Sequence, residues 1–220
     1  MADDREHRRG GELARGRPEA WLLLGPTGAG KTPLGEALAR HGLAGRSCRH
    51  LDFGQALRDV EACGPAPGWP AADVRLVGEL LHAGRLLEDD TFHIAERIVR
   101  QALRTMDAEP GALLILNGLP RHVGQAIALD PLLAVRQLVV LACDADTVHA
   151  RIRRNAGGDR AGRCDDGRDA IERKLAIFRD RTQPLIDYYA QRGVAVRRLP
   201  VTEKTTAQDM LGTLNAPGSN

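Results

Sequence analysis

Aromatic side chains are scarce, with three Phe, two Trp and two Tyr making up 3% of the chain, which leaves few platforms on which bases could stack. An excess of one charge sign is also missing: 31 Lys and Arg stand against 29 Asp and Glu, a net charge of +2. No global field calls for nucleic acid or an anionic membrane, and neither is expected as a partner. No apolar run approaches the roughly eighteen residues of a membrane span, and no signal peptide is evident. Cysteine is sparse as well. Cys48, Cys63, Cys143 and Cys164 show neither C-x-x-C spacing nor a histidine pair at ligand distance, so free thiols in a reducing cytoplasm are expected rather than a zinc site. Repeats and low-complexity linkers are absent, and 43% apolar with 27% charged residues suits one core in one domain.

What the chain does contain is GPTGAGKT, formed by Gly25, Pro26, Thr27, Gly28, Ala29, Gly30, Lys31 and Thr32, a full match to G-x-x-x-x-G-K-[ST]. The glycines let consecutive backbone N–H groups turn inward on a phosphate chain, Lys31 adds a point charge near its β and γ groups, and Thr32 offers a hydroxyl to a magnesium ion. The context that gives this pattern meaning is present: an apolar run, Trp21 to Leu24, precedes it, and a helical pattern with Pro33 in its first turn follows.

Strand-like and helix-like stretches alternate along the rest. Cys48 to Asp52, Ala112 to Asn117, Gln137 to Ala142 and Val194 to Leu199 read as further strands, with Ala112 to Asn117 and Gln137 to Ala142 as continuous apolar runs of the kind buried on both faces. Helical patterns cover Lys31 to His41, Phe53 to Ala62, Ala72 to Ala83, Asp90 to Asp107, His122 to Ala128, Asp146 to Asn155 and one long stretch from Asp166 to Arg192. This implies a parallel sheet wrapped by helices, with ligands at the carboxyl ends of the strands. Residues 1–17, of mixed charge, are expected to form a mobile extension before a single domain over 18–215. The loop-and-helix stretch 52–90 and the glycine-rich, charged stretch 153–167 read as two flaps over the site.

Several segments in fixed order resemble the nucleoside monophosphate kinases, adenylate kinase above all: HLDFGQALRD (His50 to Asp59), GRLLEDD (Gly84 to Asp90), ILNGLPRHVGQ (Ile115 to Gln125) and GRCDDGRDAIERKLAIFRDRTQPLIDYY (Gly162 to Tyr189). The resemblance runs from about residue 20 to 200. It implies a three-layer α/β phosphate-loop kinase fold with a five-stranded parallel sheet ordered 2-3-1-4-5, an acceptor-binding helical insert at 52–90 and a short, metal-free lid at 153–167. It further implies ATP and Mg²⁺, a nucleoside monophosphate acceptor and a monomeric cytoplasmic enzyme. On the acceptor side it places Asp52, Phe53, Gly54, Arg58, Leu86, Leu87, Gly118, Arg121 and Gln125, with Arg58 and Arg121 gripping the acceptor phosphate and Gln125 reading adenine. On the donor side it places Arg151 against the base, and Arg163 in the lid, with Lys31, Arg121, Arg163 and Lys174 as the catalytic cations.

Such a set of cations suits the chemistry. Phosphoryl transfer between polyanions needs charge neutralisation and in-line placement more than covalent help, and bidentate guanidinium forks suit phosphate oxygens. The chain departs from the family pattern at telling places. Asn117 stands where an aspartate anchors magnesium-bound water, Lys174 and Asn155 stand where arginines are usual, and Asp52-Phe53 replaces a small hydroxylic pair. Restoring a carboxylate at 117 is expected to preserve or raise activity. Asp52 has three readings: a cap on the helix that starts at Phe53, a binding contact, or a general base for a hydroxyl acceptor. The last keeps open a specialised kinase of another small acceptor, and a weakly active nucleotide-binding regulator stands as a third function.

Overall fold

The computed structural model describes residues 16–65, 68–106, 108–109, 111–158 and 167–216. Five strands, β1 (Glu19–Leu24), β2 (Cys48–Asp52), β3 (Leu113–Asn117), β4 (Ala134–Ala142) and β5 (Ala195–Pro200), form one sheet in the order β2-β3-β1-β4-β5. Every neighbouring pair is parallel. This is the expected order, and the strand that follows the order reversal, β1, carries the phosphate loop at its carboxyl end.

Period two along the strands divides the core. Leu22, Leu24, Leu114, Leu116, Leu138 and Val140 point to one face, while Leu23, Leu113, Ile115, Val139 and Leu141 point to the other. The first face is covered by α4 (Phe92–Met106), α5 (Val123–Leu129) and α8 (Leu185–Ala190), with α2 (Phe53–Cys63) and α3 (Ala71–Ala83) continuing the same core. The second is covered by α1 (Lys31–His41) and α9 (Ala207–Asn215), through Leu34, Leu38, Met210, Leu211 and Leu214. Two helices, α6 (Ala145–Arg153) and α7 (Arg168–Ile177), meet in a small cluster of Val148, Ile152 and Ile171. Burying each such Leu or Ile contributes about 1.5–3 kcal/mol, so the two apolar faces of the sheet hold the three layers together.

Three expectations about helices change. The long pattern from Asp166 to Arg192 is not one helix: α7 passes into a π-helical turn, Phe178–Thr182, before α8 begins after Pro184. Pro184 lacks an N–H, and Gln183 N bonds Phe178 O at 2.7 Å, a widened i to i−5 step. The stretch from Asp90 to Asp107 splits into a 3₁₀ turn, Asp89–Thr91, and α4. Finally, α9 was not foreseen, although Thr206 and Asp209 form a reciprocal capping box, Asp209 N to Thr206 Oγ1 at 3.1 Å and Thr206 N to Asp209 Oδ2 at 2.9 Å. That T-x-x-D spacing before an apolar run was the available signal.

Candidate active site

The phosphate loop turns between β1 and α1 on residues that only glycine suits. Gly28 has φ 76° and Gly30 φ 100°, and a Cβ on Gly28 would stand 2.8 Å from Ile152 Cγ1. Gly30 caps α1 without any side-chain bond to its first turn, so those N–H groups remain directed at the loop's concavity. Lys31 Nζ donates to Gly25 O at 2.8 Å and Pro26 O at 2.7 Å, folding the cation back over the loop. Cys143, at the end of β4, is half-buried, and burial pushes its thiol up to about 11, an unreactive state that fits the expectation of free thiols. Cys164 lies outside the described residues.

Arg151, expected against the donor base, is 3% exposed and works along the loop's flank. Its Nε donates to Gly28 O at 3.0 Å, and Nη1 donates to Thr202 O at 2.7 Å, Thr205 O at 2.8 Å and Glu203 O at 3.4 Å. It ties the phosphate loop to the β5–α9 connection. Asn155, standing where an arginine is usual, has φ 45°, a left-handed backbone that Asn adopts more readily than Arg. That departure therefore has a local conformational reason.

At the ends of β2 and β3, three side chains meet. Thr32 Oγ1 donates to Asp52 Oδ2 at 2.5 Å, while Asn117 Nδ2 donates to the same oxygen at 3.0 Å and to Thr32 Oγ1 at 3.1 Å. The other carboxylate oxygen, Oδ1, accepts from Gln55 N at 3.0 Å and so caps α2. Burial pushes the Asp52 carboxyl up, but the bonds from Thr32 and Gln55, with His50 and Arg58 nearby, outweigh it and hold it below its ordinary range. The ionised, acceptor-only carboxylate also fixes the Asn117 amide, which must present its NH₂. The expectation for Asn117→Asp changes as a result: with Asp52 in place, a second carboxylate there would face the first.

Thr32, Asp52 and Arg58 line a single cleft of about 440 Å³ that links the phosphate loop to the first turns of α2. Arg58 is half-buried there, and its Nε and Nη2 donate to Gln55 Oε1 at 3.1 and 2.8 Å. Gly118, with φ 84°, brings the β3 end within 3.6 Å of Gly54 N and Phe53 Cβ, measured from where its Cβ would be, so Phe53, Gly54 and Gly118 do converge.

Arg121 lies three residues beyond Gly118. The residue is half-buried, and loss of water around its guanidinium lowers its pKa. Among the described residues it has no carboxylate partner; Nε reaches only Thr182 Oγ1, at 3.4 Å, while Thr182 Oγ1 donates to Arg121 O at 2.9 Å. Thr182, on the π-turn, is a positioning residue that the sequence did not reveal, since nothing in a separation of 61 residues announces a contact. Gln125 is 1% exposed and both ends of its amide are engaged: Arg121 N donates to Oε1 at 2.7 Å and Nε2 donates to Leu87 O at 2.8 Å. His122 adds a second contact to the same carbonyl, Nε2 to Leu87 O at 3.1 Å. Gln125 and His122 thus brace the loop containing Leu86 and Leu87. The neighbouring Glu88 takes a forked bond from Arg181, at 3.2 and 2.8 Å, linking this loop to the π-turn. Lys174 lies half-buried in the last turn of α7. Arg163, with most of the expected lid, lies outside the described residues.

A phosphate loop at the end of β1, flanked by polar residues from the ends of β2 and β3 in a 2-3-1-4-5 parallel sheet, defines a phosphate-loop kinase. The adenylate kinase family model matches residues 23–194. The chain is 35% identical over 181 residues to an adenylate kinase of Synechococcus sp. (strain WH7803), covering 80% of this chain and 86% of the relative. It is likewise 35% identical over 195 residues to one from Deinococcus radiodurans, covering 82% and 88%, and 31% identical over 184 residues to one from Thermus thermophilus, covering 81% and 87%. The chain belongs to the adenylate kinase family, and is a nucleotide-binding phosphotransferase of the nucleoside monophosphate kinase type. Among solved structures, a gluconokinase from Sinorhizobium meliloti 1021 superposes with a TM-score of 0.49 at 15% identity, covering 92% of each chain. No helix among the described residues is long and apolar enough to cross a membrane.

Proposed function

We infer that this enzyme transfers the γ-phosphoryl group of ATP to AMP as a monomer in the cytoplasm, within one domain over 18–215, with 52–90 as the acceptor insert and 153–167 as the lid. The observation that carries the reading is Arg121. A partly buried guanidinium that has lost water, with no carboxylate partner among the described residues, is costly until a charge arrives, and a phosphate on the acceptor would supply it. Arg58, whose guanidinium donates to the neutral oxygen of Gln55 and lies near the Asp52 carboxylate, would close on the same phosphate from α2.

On the donor side, the N–H groups of Gly28 to Thr32 would cradle the β- and γ-phosphates, Lys31 would exchange its loop carbonyls for γ-oxygens, and Arg163 and Lys174 would follow the transferring group. Arg151 would hold the loop that does this. The residues fit a hard cation: the corner offers a hydroxyl, a carboxylate and an amide, and among the described residues no cluster of three His, Cys, Asp or Glu competes for it. Magnesium bound there would neutralise charge on the β- and γ-phosphates. Acceptor and donor phosphates would then be pressed together in line, with Leu86, Leu87, Gly118 and Phe53 enclosing the acceptor's nucleoside and Gln125 at its base.

The choice of AMP rests on Gln125, which either reads adenine after releasing Leu87 O or shapes the loop that does. A coupled ADP-production assay across the common nucleoside monophosphates tests it: AMP should be turned over fastest. Turnover of a hydroxyl acceptor with none of any monophosphate would overturn the reading. The rival hydroxyl kinase needs Asp52 as a base, and Asp52 Oδ2 already accepts two hydrogen bonds.

A further inference from the structure

The resemblance to adenylate kinases implies a carboxylate near magnesium at the end of β3; in this chain that position is Asn117, and a carboxylate stands one strand away, at Asp52. We propose that Asp52 has taken over the missing charge, as a positioning residue that orients the Thr32 hydroxyl and the water around the magnesium ion. The inference rests on the kinase reading above.

Three observations carry it. Asp52 and Asn117 are register partners in the parallel β2–β3 pair, so their side chains leave the sheet side by side at one level. A carboxylate moved from one to the other shifts by about one strand spacing, roughly 4.8 Å, and stays in the same corner. Secondly, Thr32 gives its only hydroxyl proton to Asp52 Oδ2 at 2.5 Å, and one of its lone pairs receives Asn117 Nδ2 at 3.1 Å. One lone pair remains, with a full negative charge behind the proton to make it a better ligand for a hard cation. Thirdly, Asp52 cannot swing away, because its Oδ1 accepts Gln55 N at the start of α2.

The same geometry separates this role from a general base. A base must point a free lone pair at an acceptor's hydroxyl, whereas Oδ2, the oxygen on the phosphate-loop side, accepts from both Thr32 and Asn117. The swap also explains Asn117 itself. An amide is the side chain that can stand against Asp52 and Thr32 together, donating to both.

The test is Mn²⁺ binding, followed by electron paramagnetic resonance, to the full chain saturated with a non-hydrolysable ATP analogue and with no acceptor present. Three proteins are compared: wild type, Asp52→Asn and the double variant Asp52→Asn/Asn117→Asp. Asp52→Asn is expected to raise the Mn²⁺ dissociation constant by about 10- to 100-fold, the range typical of losing an orienting partner of a metal ligand, and to leave metal-free affinity for the analogue unchanged. The double variant, with the carboxylate returned to β3, should recover most of that loss. Thermal melts of all three show that folding is not the cause, since Asn at 52 can still cap α2 and the double variant keeps one carboxylate in the corner. Equal Mn²⁺ affinity in wild type and Asp52→Asn would overturn the proposal, as would a double variant no better than the single one. Failure of wild type to bind the analogue at all would instead overturn the kinase reading beneath it.

Discussion

Around the phosphate loop, the cations already hold protein oxygens: Lys31 bonds the carbonyls of Gly25 and Pro26, and Arg151 bonds those of Gly28, Thr202, Glu203 and Thr205. Of the two arginines expected to grip the acceptor phosphate, Arg121 has a hydroxyl at 3.4 Å, and Arg58 has the amide oxygen of Gln55. One side is a backbone cradle whose cations bond main-chain carbonyls; on the other, Arg121 has no carboxylate partner among the described residues and Arg58 hydrogen-bonds a neutral amide. The contrast teaches where binding energy should be found. On the proposed reading, donor binding would draw on preformed N–H groups, with its cations chiefly shaping and catalysing, whereas acceptor binding would draw directly on guanidinium charge.

The largest effect should come from Lys31→Ala, which removes the charge that follows the γ-phosphate. Turnover in the coupled assay is expected to fall by about 10³-fold, on the order of 4 kcal/mol, with an unchanged melting profile. Near-normal turnover in a folded variant would break the donor side of the contrast. Next, Arg151→Met should cost about 3 kcal/mol in denaturant unfolding, because four carbonyls lose a buried charged donor, and ATP affinity should fall with it. Arg121→Met should behave in the opposite way: acceptor affinity by calorimetry drops by roughly 1.5–3 kcal/mol while stability holds or rises, since a partly desolvated cation with no carboxylate partner among the described residues is gone. A loss of stability equal to that of Arg151→Met would erase the distinction between the two arginines.

Asn117→Asp alone sharpens the contrast further. With Asp52 Oδ2 3.0 Å from the amide it replaces, the new carboxylate should lower stability by about 1–2 kcal/mol in metal-free denaturant titration, and lowering the pH should recover part of it. The smallest effect concerns the Glu88–Arg181 link. The Arg181 fork lowers the Glu88 carboxyl against the pull of its partial burial, so its contribution is present above the unfolded value near 4.5 and is lost as pH falls through the lowered folded value. Both side chains are well exposed, so Arg181→Met should change unfolding free energy at neutral pH by under about 1 kcal/mol, and by less still below pH 4.

Much of this was legible in one dimension because it is local. The phosphate loop needs glycines at left-handed positions within eight residues; buried parallel strands need unbroken apolar runs such as that of β3. Where reading along the chain failed, the deciding contact was not local. The π-turn depends partly on Pro184, which is a local cue, but its consequence, Thr182 against Arg121 and Arg181 against Glu88, joins segments far apart in sequence. Arg151 adds a contact set that chain order does not announce: only the fold brings four carbonyls to it.

The amino-acid order by itself determined the sheet, the cradle and the kind of ligand, since backbone conformation and apolar periodicity are properties of neighbours along the chain. Tertiary structure alone decided what the charges do. Asp52 and Asn117 are distant in sequence and adjacent in register, so whether a carboxylate caps a helix, serves a cation or both depends on which strand lies beside it. A charge interacts with whatever stands within a few ångströms, and that neighbourhood exists only after the chain has folded.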